Sequence, residues 1–171
     1  MSRAWALAMF LPCLSGCVDF QAKPEREVPP AVAQVDEVIL RVPVSPLRVM
    51  GEGPGPDAVA LEVFCGRSDH GGGLPVSGTL EILFFDGKVA PEDVMGKKPF
   101  HVETFPNALL RGNPNSRLRE GVGRFGVSYQ GMVPWGPKPP TGSGITLVAR
   151  YISPAGVPVL SLPTGVTLRP S

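Results

Sequence analysis

The chain has 171 residues, with 16 Lys and Arg against 15 Asp and Glu and a net charge of +1. So balanced a chain lacks the clustered basic charge with which nucleic-acid binders neutralise phosphates, so no nucleic-acid partner is expected. Gly and Pro number 21 each, about a quarter of the chain, while 43% of residues are hydrophobic; the first figure calls for many turns and the second is enough to build a core.

In chain order, the first element is "AWALAMFL", Ala4–Leu11, placed after Arg3 and before Pro12. A weakly positive start, a short apolar run and a small-residue stretch make an export signal. Eight residues are far too few to cross a bilayer core of about 30 Å, which takes roughly 20 as helix. The tetrad Leu14-Ser15-Gly16-Cys17 that follows resembles the lipobox of bacterial lipoproteins: an aliphatic residue, two small ones and an obligatory cysteine.

That resemblance implies that residues 1–16 are a lipoprotein signal peptide. It also implies that Cys17 takes a diacylglycerol thioether and then an amide-linked fatty acid such as palmitate. Thiolate nucleophilicity suits cysteine to the S-alkylation. Two or three acyl chains hold a protein on a membrane where one is marginal, so the expected location is the cell envelope. There the protein would be lipid-anchored and face the periplasm or exterior. In the best-known lipoproteins an aspartate directly after the cysteine marks inner-membrane retention; here that place is Val18, with Asp19 next, which favours the outer membrane. Cys13 would leave with the signal peptide. Cys65 is then the one thiol left, and an internal disulfide is excluded even in an oxidising compartment.

Residues 17–34 are read as the lipidated cysteine and a flexible tether, since "VDFQAKPEREVPPAVAQ" mixes charge and proline without a period. Residues 35–171 are read as one domain. A period of two recurs through it. "EVILRVPV" sets Val38, Leu40, Val42 and Val44 on one face, with Pro43 pointing to an edge strand. "AVALEVFC" groups Val59, Leu61, Val63 and Cys65; "GTLEILFF" groups Leu80, Ile82 and Phe84, and Asp86-Gly87 then signals a turn. "HVETF" is a short strand, "GRFGVSY" groups Phe125, Val127 and Tyr129, and "ITLVARYI" groups Ile145, Leu147, Ala149 and Tyr151. "VPVLSL" and "GVTL" follow. "APEDVMG", "NALLRG" and "NSRLRE" each have room for about one helical turn.

Seven or eight short strands separated by turns predict an all-β single β-sandwich. The pattern of "GTLEILFFDG" and "GITLVARYISPAGVPVL" is similar to immunoglobulin-like and transthyretin-like sandwiches of bacterial surface lipoproteins. The cysteine pair and core tryptophan of antibody domains are missing.

Two segments draw attention as sites. "CGRSDHGGG" holds Cys65, Ser68, Asp69 and His70. Consecutive Ser-Asp-His is not a triad, whose members must converge from separate segments. A zinc site on Cys65 and His70 would need a third ligand such as His101. The triple glycine lacks the Lys-Ser/Thr ending of a phosphate loop. The preferred reading puts Cys65 on a core-facing strand, followed by an exposed loop, with no catalytic or metal residues and no cofactor. "VPWGPKPPTG" is a stiff segment and a candidate binding loop around Trp135, the competing reading being an indole that caps the core.

The expectation is therefore an envelope lipoprotein whose sandwich is a non-catalytic binding or structural module. Its candidate partners are an envelope protein or a carbohydrate. The alternative is an envelope hydrolase or metal-dependent enzyme centred on Cys65, His70 and His101.

Overall fold

The computed structural model describes residues 29–51, 55–110, 113 and 115–168. Residues 1–16, read above as a signal peptide, Cys17, and residues 18–28 of the expected tether lie outside the described residues. In chain order the strands are β1 (Glu37–Arg41), β2 (Leu47–Arg48), β3 (Ala58–Gly66), β4 (Thr79–Asp86) and β5 (His101–Phe105). They continue with β6 (Leu118–Gly123), β7 (Gly126–Pro134), β8 (Gly144–Ile152), β9 (Pro158–Leu160) and β10 (Thr164–Thr167). A 3₁₀ turn, Pro91–Asp93, and one helical turn, α1 (Asn107–Leu110), interrupt them. Among the described residues no helix is long and apolar enough to cross a membrane.

All pairings between these strands are antiparallel, and they divide into two sheets. Sheet I runs β1-β3-β7-β6 with β2 beside β3; sheet II runs β10-β8-β4-β5 with β9 beside β8. With β9 and β10 taken as one broken strand, sheet I has the ABED order of immunoglobulin-type sandwiches and sheet II the GFC order with one further strand, β5, beside β4. Two of the nine-residue strands, β3 and β8, are built alike: a long neighbour on one edge and two short ones on the other. Proline breaks both outer strands. Pro43 and Pro46 separate β1 from β2, and Pro163 separates β9 from β10; a residue without an N–H interrupts a ladder most cheaply at an edge.

The core lies between the sheets. Val59, Leu61, Val63 and Cys65 of β3 join Leu80, Ile82 and Phe84 of β4 in one buried cluster. Two tyrosines are buried in it with their hydroxyls satisfied. Tyr129 Oη accepts from Val76 N at 2.8 Å, and Tyr151 Oη donates to Ala33 O at 2.9 Å. The second bond, with a bridge between Val32 and Val76, brings the chain into the fold before residue 35.

Among the described residues there are ten strands, against the expected seven or eight. β2 was hidden because two residues carry no period. β6 was hidden because "NSRLRE" reads as a helical turn, whereas Leu118–Glu120 pair with Tyr129–Gly131. In "GRFGVSY", Val127 and Tyr129 are buried but Phe125 is 55% exposed. Gly126 takes φ +86° while neither Arg124 nor Phe125 has a positive φ, an arrangement typical of a type I turn closed by a left-handed glycine. The turn resets the pleat, so Phe125 does not share a face with Val127. Val44, expected beside Val38 and Leu40, is fully exposed after Pro43 ends the strand.

Candidate functional site

The proposed chemical segments come apart in space. Cys65 is buried on sheet I, and burial pushes its thiol up to about 12. The thiolate is the metal-binding and nucleophilic form, so this group is inert at neutral pH. His70 sits in an exposed turn after β3, whereas His101 opens β5 at the edge of sheet II. His101 Nε2 lies 3.2 Å from Glu103 Oε2, and Glu103 Oε1 accepts from Arg117 Nη1 at 2.9 Å. Among the described residues no group of three His, Cys, Asp or Glu is placed to hold a metal.

The glycine run has a packing role instead. Gly73 bridges Gly126, donating to Phe125 O and accepting from Val127 N, both at 2.8 Å. A Cβ on either glycine would collide with the other strand's backbone, so the sequence "GGG" marks a close approach of two backbones. Trp135 is only 4% exposed and belongs to the main core cluster. Its indole is thus not offered to a partner, because Val133 and Trp135 follow the inward face of β7 off the end of the sheet. The next residue, Gly136, has φ +83° and lies flat on His101, where a Cβ would come within 2.6 Å of Nδ1.

The outer faces of the two sheets remain. That of sheet II is closed by its own chain. Leu83, Phe85 and Val148 point outward and are buried beneath Val89 and Val94 of the segment after β4. Thr146 ties this roof down: its Oγ1 donates to Gly87 O at 2.7 Å and accepts from Val89 N at 3.1 Å.

The outer face of sheet I is open. Its register aligns Arg41, Glu62, Gln130 and Arg119 in one row across β1, β3, β7 and β6. At the usual spacing of 4.7–4.9 Å between strands, the row is about 14 Å long. Apolar residues flank it: Ala60 and the exposed Met132 on one side, Ile39 and Phe64 on the other. Phe125 leans over the second flank from the β6–β7 turn. The guanidinium carbon of Arg41 lies 4.9 Å from the ring centre of Phe64 and 5.4 Å from that of Phe125, a cation–π stack.

Glu62 stands directly opposite Arg41, yet the two do not form an ion pair, and among the described residues neither has another charged partner. Three shallow depressions meet on this face and all of them touch Arg41. The smallest, of about 170 Å³, lies between Phe64 and Phe125 over Gly72 and Gly73. The largest, of about 580 Å³, opens beside Met132 and Arg48. Sequence reading missed this row because its residues come from four strands. The available signal was weak: polar residues at alternate positions of otherwise apolar strands.

No family model matches the chain, and no curated protein or solved structure shows significant similarity to it.

Proposed function

We propose that this chain is a membrane-anchored envelope lipoprotein whose β-sandwich is a non-catalytic binding module that uses the outer face of sheet I. The observation that carries the reading is the contrast between a roofed face and an open one. The open face holds a stacked guanidinium and a carboxylate that have no ion-pair partner among the described residues, together with exposed Phe125 and Met132. Contiguous exposed apolar groups rimmed by polar ones are a mark of interaction sites. The tetrad ending in Cys17 supplies the anchor, and the lipid holds the domain at the membrane without a spanning helix.

Two measurements test the two halves. Cys17→Ser should abolish incorporation of a fatty-acid probe and release the chain from membranes; continued labelling of that variant refutes the anchor. A photo-cross-linking residue at Phe125 should give adducts in cells, while the same residue at Met95, exposed on the roof of sheet II, should not. Equal adducts from both positions refute the assignment of the binding face.

A further inference from the structure

We infer that the open face of sheet I is a saccharide-binding site, with the ligand chain lying along the row from Arg41 to Gln130. This rests on the module reading above and names the class of its ligand. The first support is the charge pattern. Arg41 offers donors and Glu62 offers acceptors side by side, and neither is consumed by the other. A polyanion would be drawn to Arg41 and to Arg48, Arg119 and Arg124 around it, but Glu62, directly opposite on β3, and Glu37, four residues back on β1, break up that positive field. A ligand that presents donors and acceptors alternately, with little net charge, complements both groups. Hydroxyls on a sugar ring do this.

The second support is the preorganised donor. Held against two rings, the Arg41 guanidinium keeps a fixed plane, and its remaining N–H groups have no protein acceptor among the described residues. A rigid planar fork loses less freedom per hydrogen bond formed than a free side chain does. Gln130 adds an amide that can donate and accept; it lies across Gly121, where a Cβ would come 2.8 Å from Nε2. Glycine on β6 therefore leaves the room that this side chain occupies. Half-exposed Phe125 supplies an apolar ring edge beside the polar row.

The third support separates a glycan from a peptide. Extended peptides bind sheets chiefly by adding a strand to an edge, where the backbone groups are. Arg41, Glu62 and Gln130 are side chains on a sheet face, and β3 and β7 are interior strands whose backbones are already paired on both sides. Recognition here goes through side chains alone.

The test uses the full chain in detergent on an array of immobilised neutral and uronic-acid oligosaccharides, with a polyglutamate peptide spotted beside them. Binding to at least one oligosaccharide is expected, with little on polyglutamate. Arg41→Ala, Glu62→Gln and Phe125→Ala should each weaken it by about tenfold or more, in line with loss of hydrogen bonds to charged groups or of their support. Arg41→Lys should weaken it too, because an ammonium keeps the charge and loses the planar stack. Met95→Ala should leave it unchanged, and unaltered melting of each variant shows that the fold is kept. A blank array overturns the inference, as does binding that ignores the Arg41 and Glu62 variants or polyglutamate binding as strong as any sugar. Adducts from Phe125 to a protein alongside a blank array would reject the saccharide and leave the module reading standing.

Discussion

On sheet II the chain turns back over its own outer surface after Asp86, laying Val89 and Val94 on Leu83, Phe85 and Val148. On sheet I no described segment returns over the corresponding surface, and Phe125, Met132 and Ile39 stay exposed around a polar row. Both faces belong to strands of similar length and pairing, so the difference lies in their outward residues. β4 presents Leu83 and Phe85 outward as well as Leu80, Ile82 and Phe84 inward. A strand that is apolar on both faces must be covered on both. β3 presents Ala60, Glu62 and Phe64 outward, too polar to hold a roof made of the protein's own chain. The sandwich thus buries one outer face as a second core and leaves the other exposed.

The largest effect expected from this contrast is at Phe85, fully buried under the roof. Phe85→Ala should destabilise the protein by about 3–5 kcal/mol, the range for truncating a buried phenylalanine. Chemical denaturation of the variant checks it. A loss below about 1 kcal/mol would mean that the roof adds no second core and that the two faces are less different than they look.

A smaller effect is expected at Thr146, which is 2% exposed and whose hydroxyl bonds both ends of the roof's first turn. Thr146→Val keeps the shape and leaves Gly87 O and Val89 N without that partner. The loss should be about 1–3 kcal/mol, as for buried groups left unsatisfied. Hydrogen exchange at the Val89 amide should quicken more than at Leu61, which lies on the strand of the open sheet. Equal protection of both in the variant would show that Thr146 does not hold the roof.

How much of this was legible follows the same division. The core-facing strands were readable because Val59, Leu61, Val63 and Cys65 alternate strictly, and the structure buries all four. "LEILFF" could also be seen to be apolar on both faces, but not what covers it, since Val89 and Val94 carry no period of their own. Trp135 among its prolines allowed two readings, a binding-loop aromatic and an indole capping the core, and the structure bears out the second; the turn at Gly136 and its packing on His101, which depend on tertiary approach, could not be read beforehand. The polar row was the least legible feature. Arg41, Glu62 and Gln130 lie 21 and 68 positions apart in the chain, and only register aligns them.

A third effect, present at neutral pH and lost in acid, concerns how β4 passes into the roof. The Asp86 carboxyl is held below the usual carboxylate range, first by the hydroxyl of Thr141 and then by the Gly142 N–H, with desolvation opposing them. Gly142 N donates to Oδ1 at 2.9 Å and Thr141 N to Oδ2 at 3.2 Å. A carboxylate whose folded pKa is depressed contributes stability that is present above its unfolded value of about 3.9 and is lost as pH falls through the folded value. Asp86→Asn should therefore destabilise the protein at neutral pH and converge with the parent below about pH 4. Melting curves across that window check it. A gap between the two that persists unchanged into acid would assign the effect to amide packing instead of charge.

The smallest effect should come from the open face itself. Met132 is 44% exposed and sits at the rim of the largest depression, while its neighbours on β7, Gly131 and Val133, face the other way and Val133 is fully buried. Replacing Met132 with Gln removes a flexible apolar side chain that folding leaves largely in water, so little transfer energy is lost. Surface changes of this kind stay within about ±0.5 kcal/mol, roughly a tenth of the Phe85 loss. Denaturation midpoints for Met132→Gln and Phe85→Ala, measured side by side, give that ratio directly. A Met132 loss approaching that of Phe85 would mean that something covers sheet I in solution as the roof covers sheet II, and the open face would then be an interior one. A near-zero loss joined to weaker ligand binding would separate the two roles cleanly, because a residue that contributes nothing to folding and something to contact belongs to a face kept open for a partner.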